Sequence, residues 1–167
     1  MSFAKLFVHI FEIFEIIMVG DTPTVNQQSG SVKMPFVHIK IAGMALTPEQ
    51  VRHVQDEATR LMATVMRKKR ELTAVLVEQV PADAWTVGAE PVRVAGHLDV
   101  KVTEGTNTAE EKSRFIAAAA KLLKDVLGSD LPVATYVVVH ELAADSWGYD
   151  GLSQEHRRKT GPAVLTF

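Results

Sequence analysis

The chain of 167 residues repeats itself. Val77-Glu78-Gln79-Val80-Pro81-Ala82-Asp83-Ala84-Trp85 is echoed by Val139-His140-Glu141-Leu142-Ala143-Ala144-Asp145-Ser146-Trp147 at an offset of 62 residues. Upstream, His38-Ile39-Lys40-Ile41 matches Asp99-Val100-Lys101-Val102 at an offset of 61, so one residue is gained between the two matches. Each copy reads strand, helix, strand, then a tail that carries a tryptophan. Order and spacing agree along both copies, and that constrains the fold more than composition does. Whatever supersecondary unit one copy forms, the other forms again.

Local signals define that unit. Thr47-Pro48-Glu49-Gln50 sets a capping threonine before a proline at the first helical position, with glutamine three residues after the cap, and Thr108-Ala109-Glu110-Glu111 is a second capping box. Val51, Val54, Ala58, Leu61 and Val65 form one helix stripe, and Phe115, Ala119, Leu122 and Val126 form the other, with Gly128 as a stop. Ile39 and Ile41 alternate with His38 and Lys40, as Val100 and Val102 do with Asp99 and Lys101, so each first strand has one apolar and one polar face. The second strands, Ala74–Val77 and Tyr136–Val139, are continuous apolar runs of the kind covered on both faces. The expected fold is α+β: two tandem βαβ units, residues 34–95 and 96–167 with the C-terminal tail, forming a four-stranded sheet with two helices on one face. The other face needs a partner, so the pattern implies an oligomer.

Composition narrows the chemistry. A net charge of −2 gives no reason to expect nucleic acid as a partner. The absence of cysteine excludes disulfides, thiolate catalysis and thiolate metal sites, and fits a reducing cytoplasm. The six histidines lack the spacing of a metal site. Neither a phosphate loop nor a G-x-S-x-G elbow occurs, so no metal or other cofactor is expected.

Residues 1–33 stand apart. Phe3 to Val19 is apolar but contains Lys5, His9, Glu12 and Glu15, and each carboxylate near a bilayer centre costs roughly 2.5–3.5 kcal/mol, which argues against a membrane span. Asp21 to Lys33 reads as a disordered linker. Three readings stay open for this segment: an upstream extension absent from the working protein, an appended partner or interfacial helix, and a signal or anchor.

Met34-Pro35 then opens the first strand pattern. If the working chain begins at Met34 and the methionine is trimmed, Pro35 is a free secondary amine. Its basicity then starts from roughly pKa 7.7–8.0 and falls with burial. If residues precede it, Pro35 is an amide without a basic nitrogen, and proline is equally tolerated at the first residue of a strand.

With Met-Pro opening a strand, tandem βαβ units and Trp147-Gly148-Tyr149-Asp150-Gly151 after the last strand, the chain resembles the tautomerase superfamily. It is most similar to fused two-unit members related to 4-oxalocrotonate tautomerase, from Pro35 to about Gly161. The resemblance implies a cofactor-independent keto–enol tautomerase acting on a small enol or keto acid, with Pro35 as general base and then acid. It implies a homotrimer whose three sheets surround a channel, and an aromatic wall from Trp147 facing Pro35. Trp85 would sit at the equivalent place near Gly96, which is internal and has no free amine, so one working site per chain is expected.

This sequence departs from the family's pattern of two carboxylate-binding arginines. Met44 or Ala45 and Thr106 stand where one follows the first strand, and Ala74 and Tyr136 stand where the other lies on the second. Arg70, Arg93 or the Tyr136 hydroxyl are the substitutes, which favours a monoanionic or neutral enol over a dianion. Substrate contacts are assigned to Trp147, Tyr136 and Arg70. Two other readings stay open: a hydratase or dehalogenase of an unsaturated acid, with Glu141 or His140 activating water, and a non-catalytic oligomeric module if residues 1–33 are retained.

Overall fold

A computed structural model of the protein describes residues 34–160, and the calls on residues 1–33 and on the end of the tail lie outside them. The first unit runs β1 (Phe36–Ala42), α1 (Pro48–Thr64), β2 (Ala74–Val80), and a ribbon of β3 (Thr86–Val87) and β4 (Glu90–Pro91). The second repeats it: β5 (Ala95–Thr103), α2 (Ala109–Leu127), β6 (Tyr136–Leu142), a ribbon of β7 (Gly148–Tyr149) and β8 (Leu152–Ser153), and a closing helix α3 (Gln154–Thr160).

Four strands form one mixed sheet in the order β2-β1-β5-β6. Within each unit the strands are parallel, as a crossover helix requires. Between units β1 and β5 run antiparallel, with His38 opposite Asp99. Val37, Ile39 and Ile41 of β1 and Leu98, Val100 and Val102 of β5 point to the helical side, where they meet Val54, Leu61 and Met62 of α1 and Phe115, Ala119 and Leu123 of α2. Each buried aliphatic side chain contributes about 1.5–3 kcal/mol, so this two-layer core is the main source of stability.

Both capping boxes form. Thr47 Oγ1 accepts from the Gln50 amide and Gln50 Oε1 from the Thr47 amide, and Thr108 and Glu111 do the same. Glu111 also receives the Arg67 guanidinium and the Asn107 amide, so the second cap ties down the chain just after α1. These bonds hold the Glu111 carboxyl at about 2, with the Arg67 hydrogen bond the largest cause.

The second strands differ from the sequence reading. They are the sheet edges, and their outward residues are open: Tyr136 is 65% exposed and Leu76 46%. Val75, Val77, Val137 and Val139 pack against the core. The apolar runs therefore have one face covered within a single chain, because both helices lie on the same side.

Gly43 turns the chain out of β1 with φ +78°, and a Cβ there would lie 1.8 Å from the Arg93 carbonyl oxygen. Gly43→Ala is expected to cost at least about 2 kcal/mol in urea denaturation. Glu111 has a folded-state pKa below its ordinary 4.5, so its contribution is full above that value and is lost as pH falls toward about 2. Glu111→Gln should lower stability at pH 7 and flatten that acid-dependent loss, as read by thermal melts across pH.

Candidate active site

The antiparallel β1–β5 pairing sets two ends to the sheet. At one, Phe36 faces Lys101, which in turn faces His140; at the other, Lys40 faces His97, which faces Tyr136. Pro35 precedes the first end, where its carbonyl accepts from the Ala74 amide at 3.2 Å, and it is buried. β6 finishes at the same end, so the tail carrying Trp147 departs from the Pro35 side. β2 finishes at the other, so Trp85 belongs with Lys40 and His97.

The predicted site residues separate accordingly. Pro35 and the Trp147 tail share an end. Arg70 lies in a short 3-10 turn (Arg70–Leu72) just before β2, also at this end, with Asp56 as its nearest carboxylate at 3.8 Å. Tyr136 starts β6 at the far end, five residues of strand from Pro35, or about 16 Å. Within one chain it does not reach Pro35. Because β5 reverses β1, the start of β6 is placed opposite the start of β1.

The open face of the sheet is polar, and its centre is Asp99, which is 7% exposed. Lys101 Nζ donates to Asp99 Oδ1 at 2.6 Å, and imidazole nitrogens of His97, His38 and His140 stand 3.7, 3.8 and 3.9 Å from the carboxylate. Burial raises the Asp99 pKa, but the Lys101 hydrogen bond and charge, with His140 and His38, outweigh it and leave the carboxyl below its ordinary value. His97 is pushed below its ordinary value by burial, with Asp99 opposing and Lys40, His38 and His140 reinforcing the shift. His38 Nε2 also pairs with Glu78 at 2.7 Å. Alternation along β5 puts His97 and Lys101 beside Asp99, the antiparallel register brings His38, and the parallel pairing with β6 brings His140.

His140 and Glu141 part company, as alternation requires. Glu141 is held by Lys112 of α2 at 2.7 Å on the helical side, which keeps its carboxyl below the usual range. Only His140 faces Lys101 and the Pro35 end. Lys68, 5% exposed, donates to Thr106 at 2.7 Å, so an ammonium approaches one position where the resemblance implied an arginine.

The tail builds a cavity of about 300 Å3 lined by Asp145, Trp147, Gly148, Tyr149 and Leu152 among others. Arg157 stacks on the Tyr149 ring at 3.7 Å and donates to the Tyr149 carbonyl at 3.0 Å. Trp147 Nε1, Tyr149 OH and both amide atoms of Gln154 are buried without a hydrogen-bond partner among the described residues. Buried polar groups are normally paired, so these atoms call for partners beyond the described residues.

This geometry can be set beside known proteins. The family model described as "Tautomerase enzyme" matches twice in tandem, over residues 35–95 and 97–157. The chain belongs to the tautomerase family and is an isomerase of that type. Probable tautomerase K2 of Dickeya dadantii (strain 3937) is 37% identical over 62 residues, 37% of this chain and 91% of that protein. Two solved structures align with a TM-score of 0.63 over 72% of this chain. One is a fused 4-OT described as a wild-type symmetric trimer (18% identical, 97% of that chain covered) and the other is Pt0534 inactivated by 2-oxo-3-pentynoate (17%, 96% covered). A macrophage migration inhibitory factor-like protein from Entamoeba histolytica aligns at 0.58, with 19% identity over 72% of this chain and 98% of that one. These likenesses show the fused two-unit tautomerase fold. Among the described residues no helix is long and apolar enough to cross a membrane.

Asp99→Asn should cost about 1–3 kcal/mol at pH 7, since it strands a partly buried Lys101 ammonium. His97 and Asp99 each add an acid-dependent loss to that of Glu111. The unfolded chain takes up a proton at His97 first as pH falls below 6.5, and at Asp99 as pH falls below 3.8. Denaturant midpoints should drop on entering each window, and His97→Gln should remove the first.

Proposed function

We propose that the working protein begins at Pro35 and catalyses keto–enol tautomerisation of a small enol or keto acid, with the prolyl nitrogen moving the proton. The observation that carries this reading is the place of Pro35. It heads the first strand, it is buried, and the tandem family match opens on it. A free amine there would be desolvated and hence shifted toward its neutral, basic form near pH 7. The base would take the proton on one atom of the enol system and return it on another, with no electrons gained or lost.

Trp147 walls this site in the proposal and Arg70 supplies a nearby cation, while Tyr136 contributes only if a second copy brings it close. A trimer is supported by the open polar sheet face, the exposed sheet edges and the unpaired polar atoms at Trp147, Tyr149 and Gln154. The similar fused 4-OT described as a symmetric trimer points the same way. The structurally similar protein inactivated by 2-oxo-3-pentynoate supports a small 2-oxo acid as the substrate class. A reaction that moves only protons needs no cofactor, and the absence of cysteine suits a cytoplasmic location. Residues 1–33 are then an extension removed or never translated.

Two measurements test the proposal. Intact mass of protein made from the native gene should show a species starting at Pro35; a species starting at Met1 or Ser2 rules out the prolyl base. Phenylpyruvate ketonisation should fall about 10²–10⁴-fold in Pro35→Ala, and an equal rate would remove Pro35 from the mechanism.

A further inference from the structure

The two ends of the β1–β5 ladder are related by the repeat, yet their chemistry differs. At the Pro35 end the lysine of the pair, Lys101, is consumed by Asp99 and lies 5.4 Å over the Phe36 ring. At the other end, the matching lysine is Lys40, and it makes no ion pair among the described residues. Glu78, its neighbour in register on β2, is occupied by His38 at 2.7 Å. Where the first end has the Phe36 ring, the second has the His97 imidazole.

These residues border a cavity. Lys40, Val80, Ala84, Trp85, Thr86 and His97 line an open hollow of about 540 Å3, against about 300 Å3 beside Trp147. The lining combines one ammonium without a counterion, one imidazole, one indole and a small apolar patch. Few polar groups converging in a partly apolar hollow is the composition of a small-ligand site. An uncompensated lysine selects an anion, and the indole favours a flat, conjugated body. His97 Nε2 stands 3.7 Å from Asp99, beyond hydrogen-bonding distance, so the imidazole is not hydrogen-bonded to that carboxylate. Tyr136 follows His97 in register on the same face, with its side chain exposed.

We propose that this cavity is a second binding site, specific for a planar unsaturated monocarboxylate, with the carboxylate on Lys40, the conjugated chain against Trp85 and a polar atom of the ligand on His97. The site needs no amino-terminal amine and does not depend on where the mature chain begins. Burial keeps His97 neutral at pH 7, with one N–H to donate and one nitrogen to accept, while Asp99 opposes that shift and Lys40, His38 and His140 add to it. Lys101, bonded to Asp99, and Glu78, bonded to His38, complete the charged groups of this face.

The test uses full-length protein and trans-cinnamate as the probe, read by the imidazole ring signals of His97 in NMR and assigned by their loss in His97→Gln. Those signals should shift and saturate as cinnamate is added. Lys40→Met should weaken binding about tenfold or more, Lys40→Arg should retain it, and Trp85→Ala should weaken it again. Pro35→Ala should leave the His97 titration unchanged whatever it does to phenylpyruvate ketonisation, which separates this site from the prolyl one. Unmoved His97 signals up to about 10 mM cinnamate, or the same midpoint in folded Lys40→Met, would overturn the proposal.

Discussion

Everything in this protein is organised by seven residues of β1 lying antiparallel to β5. Among the described residues that ladder is the only place where the two repeats share a sheet, and its two faces do different work. On the helical side it stacks Val37 on Val100 and Ile39 on Leu98, so the cores of the two units become one. On the other side it brings His38, Lys40, His97, Asp99 and Lys101 onto a single polar surface. The shared core is built from both units, whereas the closest charge pairs, Lys101 with Asp99 and His38 with Glu78, form within one unit each.

The polar surface is near electrical balance because its charges are distributed between strands. Asp99 is on β5, one of its imidazole neighbours is on β1 and another on β6, and Glu78 reaches in from β2. Lys101 is bonded and Lys40 is not. A chain built from two copies of one unit has in this way acquired one saturated lysine and one open one, and the difference arises from single side chains at matching positions.

Much of this fold was legible in the residues. The capping boxes at Thr47 and Thr108, the stripes on both helices and the alternation along β1 and β5 appear in the structure because each depends on local geometry that sequence encodes directly. The second strands were harder: Ala74–Val77 and Tyr136–Val139 look doubly buried by composition, but burial depends on which face the helices take. The site was less legible still. Placing Tyr136 required knowing that β5 reverses β1, a long-range fact without a local signature, and His38 reaches Asp99 by the same reversal.

Gly96 shows where this asymmetry leads. A methyl group there would lie 3.0 Å from Leu127, 3.5 Å from Leu131 and 3.7 Å from Leu123, and the residue sits in a central strand, where proline is poorly tolerated. Leucines of α2 and of the loop after it fill the space beside Gly96. Making the halves equivalent would require both relieving that packing and a chain end at Gly96, and a single substitution supplies only the first.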